Sequence, residues 1–246
     1  MTYCVGILLE QGLVLASDTR TNAGVDQVAI APKTHVFEQT GERVIVLLTA
    51  GNLAITQSVV NLLREQLKEP EPETANLYSV HSMFEAASVV GAAMRSIYHR
   101  DGETLKEHGI DFTASILVAG QIKGEKPRLF NVYAAGNFIE ATSDTPYLQI
   151  GETKYGKPII DRVINHKTDM MEAVKCVLIS FDSTIRSNIS VAMPIDLMIY
   201  RTDTLTADCR QRLTERDPYY ASVHKGWGEG LRAVFSSLPN PEWGSQ

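Results

Sequence analysis

The chain has 246 residues, a net charge of −6 and a hydrophobic content of 44%, values that suit one large or two small soluble globular domains. The acidic balance argues against nucleic acid or an anionic membrane as the main partner, and no apolar run approaches the roughly 20 residues that span a bilayer. The three cysteines and six histidines show no metal-ligand spacing. We therefore expect no metal, no cofactor, and a cytoplasmic protein with reduced thiols.

Strand-like apolar runs and helix-like periodicities occur in groups along the chain. The predicted strands are 3–9, 12–17, 28–30, 35–38, 43–50, 112–122, 128–135, 137–141, 147–151 and 195–200. The predicted helices are 52–68 and 77–99, separated by an acidic, proline-broken turn at 69–73, and then 154–165 and 169–181. A tail over 203–246 contains a further predicted helix near 219–237.

Grouped strands and grouped helices favour an α+β layered fold over a parallel βαβ sheet. In the first strand, Val5 and Ile7 alternate with Cys4 and Gly6, so the strand lacks a polar face and must be covered on both sides. These features predict two packed sheets with helix pairs outside them. We divide the chain into a main domain over 2–202 and a C-terminal extension over 203–246.

A threonine follows the initiator methionine and leads directly into the first strand. No leader precedes it, so we expect removal of Met1 to leave Thr2 with a free α-amine beside its hydroxyl. An N-terminal amine has a pKa of about 8 and can act as the base that a weak hydroxyl nucleophile needs. Taken alone, a threonine at this position needs no function.

Three further segments follow Thr2 in a recognisable order. Residues 18–24 read DTRTNAG, Lys33 comes next, and residues 49–51 read TAG after a buried strand. Over about residues 2–200, the chain resembles the proteasome-type N-terminal nucleophile hydrolases, in which these elements follow a strand-opening threonine. The resemblance implies a four-layer αββα sandwich, in agreement with the layers predicted above, here with a C-terminal helical extension.

The resemblance also implies roles for individual residues. Thr2, Asp18 and Lys33 correspond to the catalytic set, and the Gly51 N–H to an oxyanion donor. The substrate-binding positions are Thr21, Asn22 and Thr49. Each has a simpler interpretation from sequence alone, since Lys33 could be a solvated loop charge, Asp18 a turn cap and Gly51 a strand–helix joint.

Two segments depart from the family pattern. Glu152 stands where the family usually has the serine of Gly-Ser-Gly, which changes the local hydrogen bonding. Asp182 and Ser187 are the candidates for the late Asp-x-x-Ser-Gly element, and the alternative is that they simply end a helix. Residues 150–152 and 187–191 look like the bacterial Anbu group, the ancestral β-subunits.

The resemblance implies a threonine-type endopeptidase that cleaves peptides or unfolded proteins and assembles with copies of itself into a ring or lock-washer. The sequence contains no Gly-x-x-x-x-Gly-Lys-Ser/Thr segment, so any energy would come from a separate unfoldase or adaptor. Two alternatives stay open at this point. One is an amidohydrolase that acts on a small amide, and the other is a non-catalytic scaffold subunit.

Overall fold

The computed structural model describes residues 2–22, 28–69 and 74–244. Met1, whose removal we predict from the sequence, lies outside these ranges. So do residues 23–24 of the DTRTNAG segment and residues 70–73 of the predicted acidic turn.

Strands and helices follow one another in the grouped order that the sequence predicts. The strands are β1 (Tyr3–Leu9), β2 (Gly12–Asp18), β3 (Arg20–Asn22), β4 (Val28–Ile30), β5 (Thr34–Gln39), β6 (Arg43–Gly51), β7 (Ala114–Ile122), β8 (Arg128–Tyr133), β9 (Phe138–Glu140), β10 (Tyr147–Gly151), β11 (Ile195–Arg201) and β12 (Arg210–Leu213). The helices are α1 (Leu53–Lys68), α2 (Met83–Glu107), α3 (Lys157–Val163), α4 (Met170–Ser187) and α5 (Pro218–Ser237), followed by a 3₁₀ turn at Glu242–Gly244.

Two antiparallel five-stranded sheets form the middle of the structure. The first has the strand order β10-β1-β2-β11-β12 and the second β5-β6-β7-β8-β9. Strands β3 and β4 form a separate two-stranded ribbon. The chain enters through β1 and β2, crosses to the second sheet and returns to the first through β10, so both sheets contain distant parts of the sequence.

Three apolar clusters hold four layers together. One lies between α1, α2 and the second sheet, and a second lies between α3, α4 and the first sheet. The third fills the space between the sheets, where Cys4, Leu15, Leu48 and Leu117 meet. This arrangement is an αββα sandwich and confirms the predicted α+β fold class.

Strand β1 shows why the sequence carries apolar residues on both faces. Tyr3, Val5 and Ile7 belong to the cluster under the helices, whereas Cys4 faces the other sheet. Successive side chains of a strand point to opposite faces, so a strand with a core on each side needs apolar residues at every position.

The long second helix begins six residues later than predicted, at Met83. Ser82 caps it by accepting a hydrogen bond from the Glu85 N–H at 3.1 Å, and the Glu85 carboxylate accepts one from the His81 N–H at 2.8 Å. These two bonds resemble a capping box, except that Glu85 reaches the residue before the N-cap, and together they fix the start of the helix. The residues before it form a turn closed by the Asn76 side chain, which accepts from the Tyr78 N–H.

The second helix pair also differs in length from the prediction. Helix α3 is shorter than the predicted 154–165, and α4 extends to Ser187 instead of ending at residue 181. The N–H of Asn188 still donates to the Thr184 carbonyl, so the polar residues at 182–187 are compatible with helix.

The C-terminal extension contributes to both a sheet and a helix layer. Strand β12 pairs with β11 and was not predicted, because three of its four residues are polar and exposed. Helix α5 agrees with the helix predicted near 219–237 and begins at the N-cap Asp217. The domain boundary at residue 202 stays a prediction. In the described part of the chain, no helix is long and apolar enough to cross a membrane.

We predict that acidification weakens the fold through His35. Burial, together with the Arg64 guanidinium, lowers the pKa of His35 from 6.5 to about 4. Between these values the unfolded chain binds a proton that the folded chain does not, so the free energy of unfolding falls as pH drops from 6.5 towards 4. After a discount for solvent screening, the loss is about 1 kcal/mol.

The measurement is the thermal midpoint at pH 7 and pH 4.5, at equal protein concentration, for wild type and His35→Gln. The variant should lose less stability on acidification than wild type. His81→Gln, at an exposed position, is the matched control and should behave as wild type. Identical acid losses in wild type and His35→Gln would contradict this origin.

Candidate active site

A buried ion pair lies where β2 ends. Lys33 Nζ is 2.8 Å from Asp18 Oδ1, and both side chains are almost completely buried, at 4% and 0% exposure. The same ammonium donates to the Arg20 carbonyl at 2.6 Å. Lys33 is therefore not a solvated loop charge, and Asp18 does more than cap a turn.

The electrostatics of Asp18 are set by two opposing effects. Burial raises the pKa of Asp18, while the Lys33 ammonium and the Tyr3 N–H lower it. Both of these donors bind Oδ1, at 2.8 and 2.9 Å. In the described part of the chain, Asp18 Oδ2 is buried without a hydrogen-bond partner. The carboxylate thus directs its bonded oxygen at the ammonium and at the start of β1.

The backbone places Thr2 one residue from this ion pair. Tyr3, which binds Asp18, follows Thr2 directly, and the Thr2 carbonyl accepts from the Glu152 N–H at 2.7 Å. Gly151 has a φ of 82°, and a β-carbon there would lie 1.9 Å from the Thr2 carbonyl oxygen. Only glycine permits this approach, so Gly151 is required for the position of the buried Thr2.

The side chain of Tyr3 anchors the start of β1 to α4 and β10. Its hydroxyl is 2.5 Å from Ser180 Oγ in α4 and accepts from Gln149 Nε2 at 2.5 Å. A β-carbon at Gly156 would lie 2.2 Å from the same Ser180 Oγ. Burial raises the pKa of Tyr3 far above its ordinary value, so the hydroxyl stays protonated and keeps these contacts.

Thr49 holds the backbone of Lys33 in place. The Thr49 N–H donates to the Lys33 carbonyl at 3.0 Å, and Thr49 Oγ1 lies 3.4 Å from the same oxygen. Ser17 Oγ and Thr34 Oγ1 are 2.9 Å apart and connect β2 to β5 beside it. Lys33 is thus fixed from both sheets.

The N–H of Gly51 has no partner in the ladder. Thr49 N bonds to Lys33 O on the β5 side, and Asn52 N bonds to Thr113 O on the β7 side. Because N–H groups alternate along a strand, the Gly51 N–H points to the β5 side. The β5–β6 ladder ends before reaching it, so in the described residues no strand pairs there. A φ of 109°, with Thr113 O 2.3 Å from any β-carbon, requires glycine.

The β3–β4 ribbon carries Thr21 and Asn22, the two candidate substrate-binding residues of the DTRTNAG segment. Thr21 pairs with Ala29, and the backbone of Asn22 pairs with Val28. Within the described ranges, β3 has a partner strand on one edge only. An edge without a partner strand is a place where an added strand can pair.

Asp182 and Ser187 lie in the last turns of α4, as the alternative interpretation of the sequence stated. Asp182 Oδ1 accepts from the Tyr220 hydroxyl at 3.3 Å and lies 2.5 Å from His224 Nδ1, both in α5. Among the described residues, no hydrogen bond joins Asp182 or Ser187 to the ion pair at β2. Asp182 instead attaches the C-terminal extension to α4.

Glu152 lies immediately beside Thr2 in the backbone ladder. Its side chain is 14% exposed, and its Oε2 is 3.8 Å from the ammonium of the exposed Lys154. That distance is an ion pair but exceeds a hydrogen bond. In the described part of the structure, Glu152 Oε2 is buried and has no hydrogen-bond partner.

No metal-binding group is found in the described ranges, where no three His, Cys, Asp or Glu residues gather as ligands. The three cysteines are all free.

Sequence patterns alone missed Tyr3 and Gly151. Tyr3 reads as one more apolar residue of a buried strand, since its partners Ser180 and Gln149 lie far along the chain. Gly151 reads as an ordinary strand end. A glycine directly before the unusual Glu152 was the available signal.

Comparison with known proteins identifies the family. A family model described as "Proteasome subunit" matches residues 2–199. The chain is 27% identical over 207 residues to proteasome subunit beta 2 of Nitrosopumilus maritimus, covering 82% of this chain and 87% of that protein.

Solved structures give a closer likeness. Anbu (ancestral beta-subunit) from Yersinia bercovieri is 51% identical with a TM-score of 0.91, covering 98% of this chain and 99% of that one. The helical assembly of the Anbu complex from Pseudomonas aeruginosa is 44% identical with a TM-score of 0.93, covering 99% and 100%. The chain therefore belongs to the proteasome subunit family, in its Anbu (ancestral β-subunit) branch.

Proposed function

We propose that this chain is a threonine peptidase that hydrolyses peptide bonds with Thr2, exposed by removal of Met1. The observation that carries the proposal is the buried Asp18–Lys33 pair, which shares its bonded oxygen with the N–H next to Thr2. A buried lysine is costly unless it is paired, and its position beside the chain start supports a role with the Thr2 hydroxyl.

The proposed reaction proceeds through an ester on Thr2. Its Oγ attacks the carbonyl carbon of the substrate while the α-amine accepts the hydroxyl proton. The proton then passes to the leaving amine as the peptide bond breaks, and a water molecule hydrolyses the ester. Lys33 stabilises negative charge on Oγ, and Asp18 keeps the ammonium in position. We expect the Gly51 N–H, which has no partner strand in the described residues, to donate to the developing oxyanion.

An extended peptide is the substrate class that the open strand edge favours. The edge of β3 that has no partner strand in the described residues can pair with a substrate in strand form. Thr21 and Asn22 would then bind the peptide backbone, and Thr49 would lie near the residue before the cut. A small amide would leave this edge unused, and a scaffold subunit would not need to bury Lys33.

We also propose that the protein acts in the cytoplasm as an assembly of its own copies. The Pseudomonas aeruginosa relative is described as a helical assembly. In this chain, α5 exposes a row of apolar side chains that includes Leu231, Val234 and Phe235, at 51, 61 and 78%. Exposed apolar patches of this kind are typical of protein interaction sites.

Replacement of Thr2 by alanine should abolish hydrolysis. The variant lacks the nucleophile, so we expect turnover of a fluorogenic peptide to fall at least about 10³-fold. Thr2→Ser keeps a hydroxyl beside an α-amine and is the matched control. The intact mass should show loss of Met1. After treatment with a peptide epoxyketone, it should show one adduct, in wild type and Thr2→Ser only. Equal turnover in Thr2→Ala would refute the mechanism.

Removal of the Lys33 charge should remove activity and stability together. Lys33→Met leaves Asp18 as an uncompensated buried carboxylate, which costs about 3–5 kcal/mol. The double variant Asp18→Asn/Lys33→Met buries no charge, so it should recover much of the thermal stability while turnover stays lost. Thermal midpoints and epoxyketone labelling separate the two effects. Recovery of labelling in the double variant would show that Lys33 acts only through the fold.

Charges on α5 should dissociate the assembly without unfolding the subunit. Val234→Asp and Phe235→Glu together place carboxylates on the exposed apolar row, where they have no part in the core clusters. We expect a smaller sedimentation coefficient and an unchanged far-ultraviolet circular dichroism spectrum. Arg232→Gln on the same helix is the control. An assembly of unchanged size in the double variant would exclude this face as a contact.

A further inference from the structure

The nitrogen of Thr2 points towards Glu152. The β1–β10 ladder pairs Tyr3 with Gly151, and the bond from Glu152 N to Thr2 O, at 2.7 Å, extends it by one pair. In an antiparallel ladder the N–H and C=O of one residue point to the same neighbouring strand. The Leu8 N–H, which has the same parity as Thr2, bonds to Pro146 on that side. The α-amine of Thr2 therefore lies on the side of β10.

Glu152 has an unused acceptor at this place. Paired residues of such a ladder have α-carbons about 5.5 Å apart, a gap that a glutamate side chain spans. Glu152 Oε2 is buried and has no hydrogen-bond partner in the described ranges. The ammonium of Lys154 is 3.8 Å away, on a side chain that is 69% exposed. A buried carboxylate oxygen without a donor is unfavourable.

Removal of Met1 would create a new donor on the side of Thr2 that faces β10 and Glu152. The peptide nitrogen of Thr2 carries one hydrogen, whereas the α-ammonium that replaces it carries three and a positive charge. We propose that Glu152 is the positioning residue for this amine: its carboxylate accepts a hydrogen bond from Thr2 and keeps the amine beside the hydroxyl. The consequence for catalysis rests on the proposed peptidase function, whereas the contact itself does not.

The charged groups around the amine come from three segments. Asp18 from β2 is engaged by Lys33 from the segment before β5, and Glu152 is accompanied by Lys154 in the turn after β10. Asp18 Oδ2 likewise has no hydrogen-bond partner in the described residues, but Asp18 belongs to β2, on the other side of β1 from β10. Glu152 is therefore the carboxylate on the side to which the Thr2 nitrogen points. Its charge favours the ammonium form and so raises the pKa of the amine by about one unit relative to the same site without a carboxylate.

This shift gives the reaction a distinct pH dependence. Only the neutral amine accepts the hydroxyl proton, and at pH 7 its fraction is about one tenth for a pKa of 8 and about one hundredth for a pKa of 9. A more basic amine is also a better proton acceptor. If half of a change in its pKa appears in the logarithm of the proton-transfer rate, that rate rises about threefold per pKa unit. Glu152 should thus lower turnover at neutral pH by about threefold and raise it by about threefold at alkaline pH.

The direct test measures the amine and needs no substrate. Trace acetic anhydride acetylates each amine of the assembled protein in proportion to its neutral fraction, and mass spectrometry of the N-terminal peptide follows Thr2 against pH. We expect the midpoint to fall by about one pH unit in Glu152→Gln, which keeps an acceptor but loses the charge, and in Glu152→Ser. Glu65→Gln, at an exposed site on α1, should leave the midpoint unchanged.

Three outcomes separate this inference from the proposed function. An unchanged midpoint in both Glu152 variants, or Met1 retained in the mass of the wild-type protein, overturns the inference. A lowered midpoint without turnover of any peptide by wild type or variants supports the contact and counts against the peptidase. A lowered midpoint with kcat profiles that cross between pH 7 and pH 10, at similar KM, supports both.

Discussion

The buried contact between Asp18 and Lys33 is the constraint on which the geometry of this site depends. Taking two ions out of water costs several kcal/mol for each, and the fold offsets this only through short, well-directed contacts. Asp18 comes from the first sheet and Lys33 from the segment that leads into the second. The pair therefore connects the two sheets at one end of the sandwich, while the apolar clusters hold them elsewhere. Because the same oxygen accepts from the Tyr3 N–H, the start of the chain is fixed to this junction.

Two glycines fix the backbone near the ion pair, one at the end of β10 and one at the end of β6. Gly151 lets the end of β10 approach the Thr2 carbonyl, and Gly51 lets β6 leave the ladder while pointing an N–H away from β7. In both places a side chain would collide with a carbonyl oxygen, so the positive φ values follow from close packing. The Thr2 carbonyl, which accepts from the Glu152 N–H, and the Gly51 N–H, which has no partner strand in the described residues, therefore both lie at strand ends.

The layers could be predicted from the sequence because each depends on a local pattern. A strand that is apolar at every position, such as β1, indicates a core on both faces. Helical periodicity between the groups of strands predicts the outer layers. The motif also named Asp18 and Lys33, which form the buried pair beside the Tyr3 N–H; the catalytic role of Thr2 stays a prediction. Contacts between distant residues left no local pattern. Tyr3 and Ser180 are 177 positions apart, and the partners of Asp182 lie in α5. Strand β12 escaped prediction because an exposed edge strand needs no apolar alternation.

The charges near Thr2 are understood better as a set than singly. In the proposed form without Met1, Lys33 and a protonated α-amine would contribute two positive charges, and Asp18 and Glu152 two negative ones. The site would then be neutral, with Lys154 at the surface. A serine at position 152 would leave a net positive charge in a largely buried place, which favours loss of the proton from the amine. With glutamate, the neutral state of the site is the one in which the amine carries its proton. In the proposed mechanism the same residue would therefore stabilise the ammonium that forms when the hydroxyl gives up its proton, and pH would set the balance between these two effects.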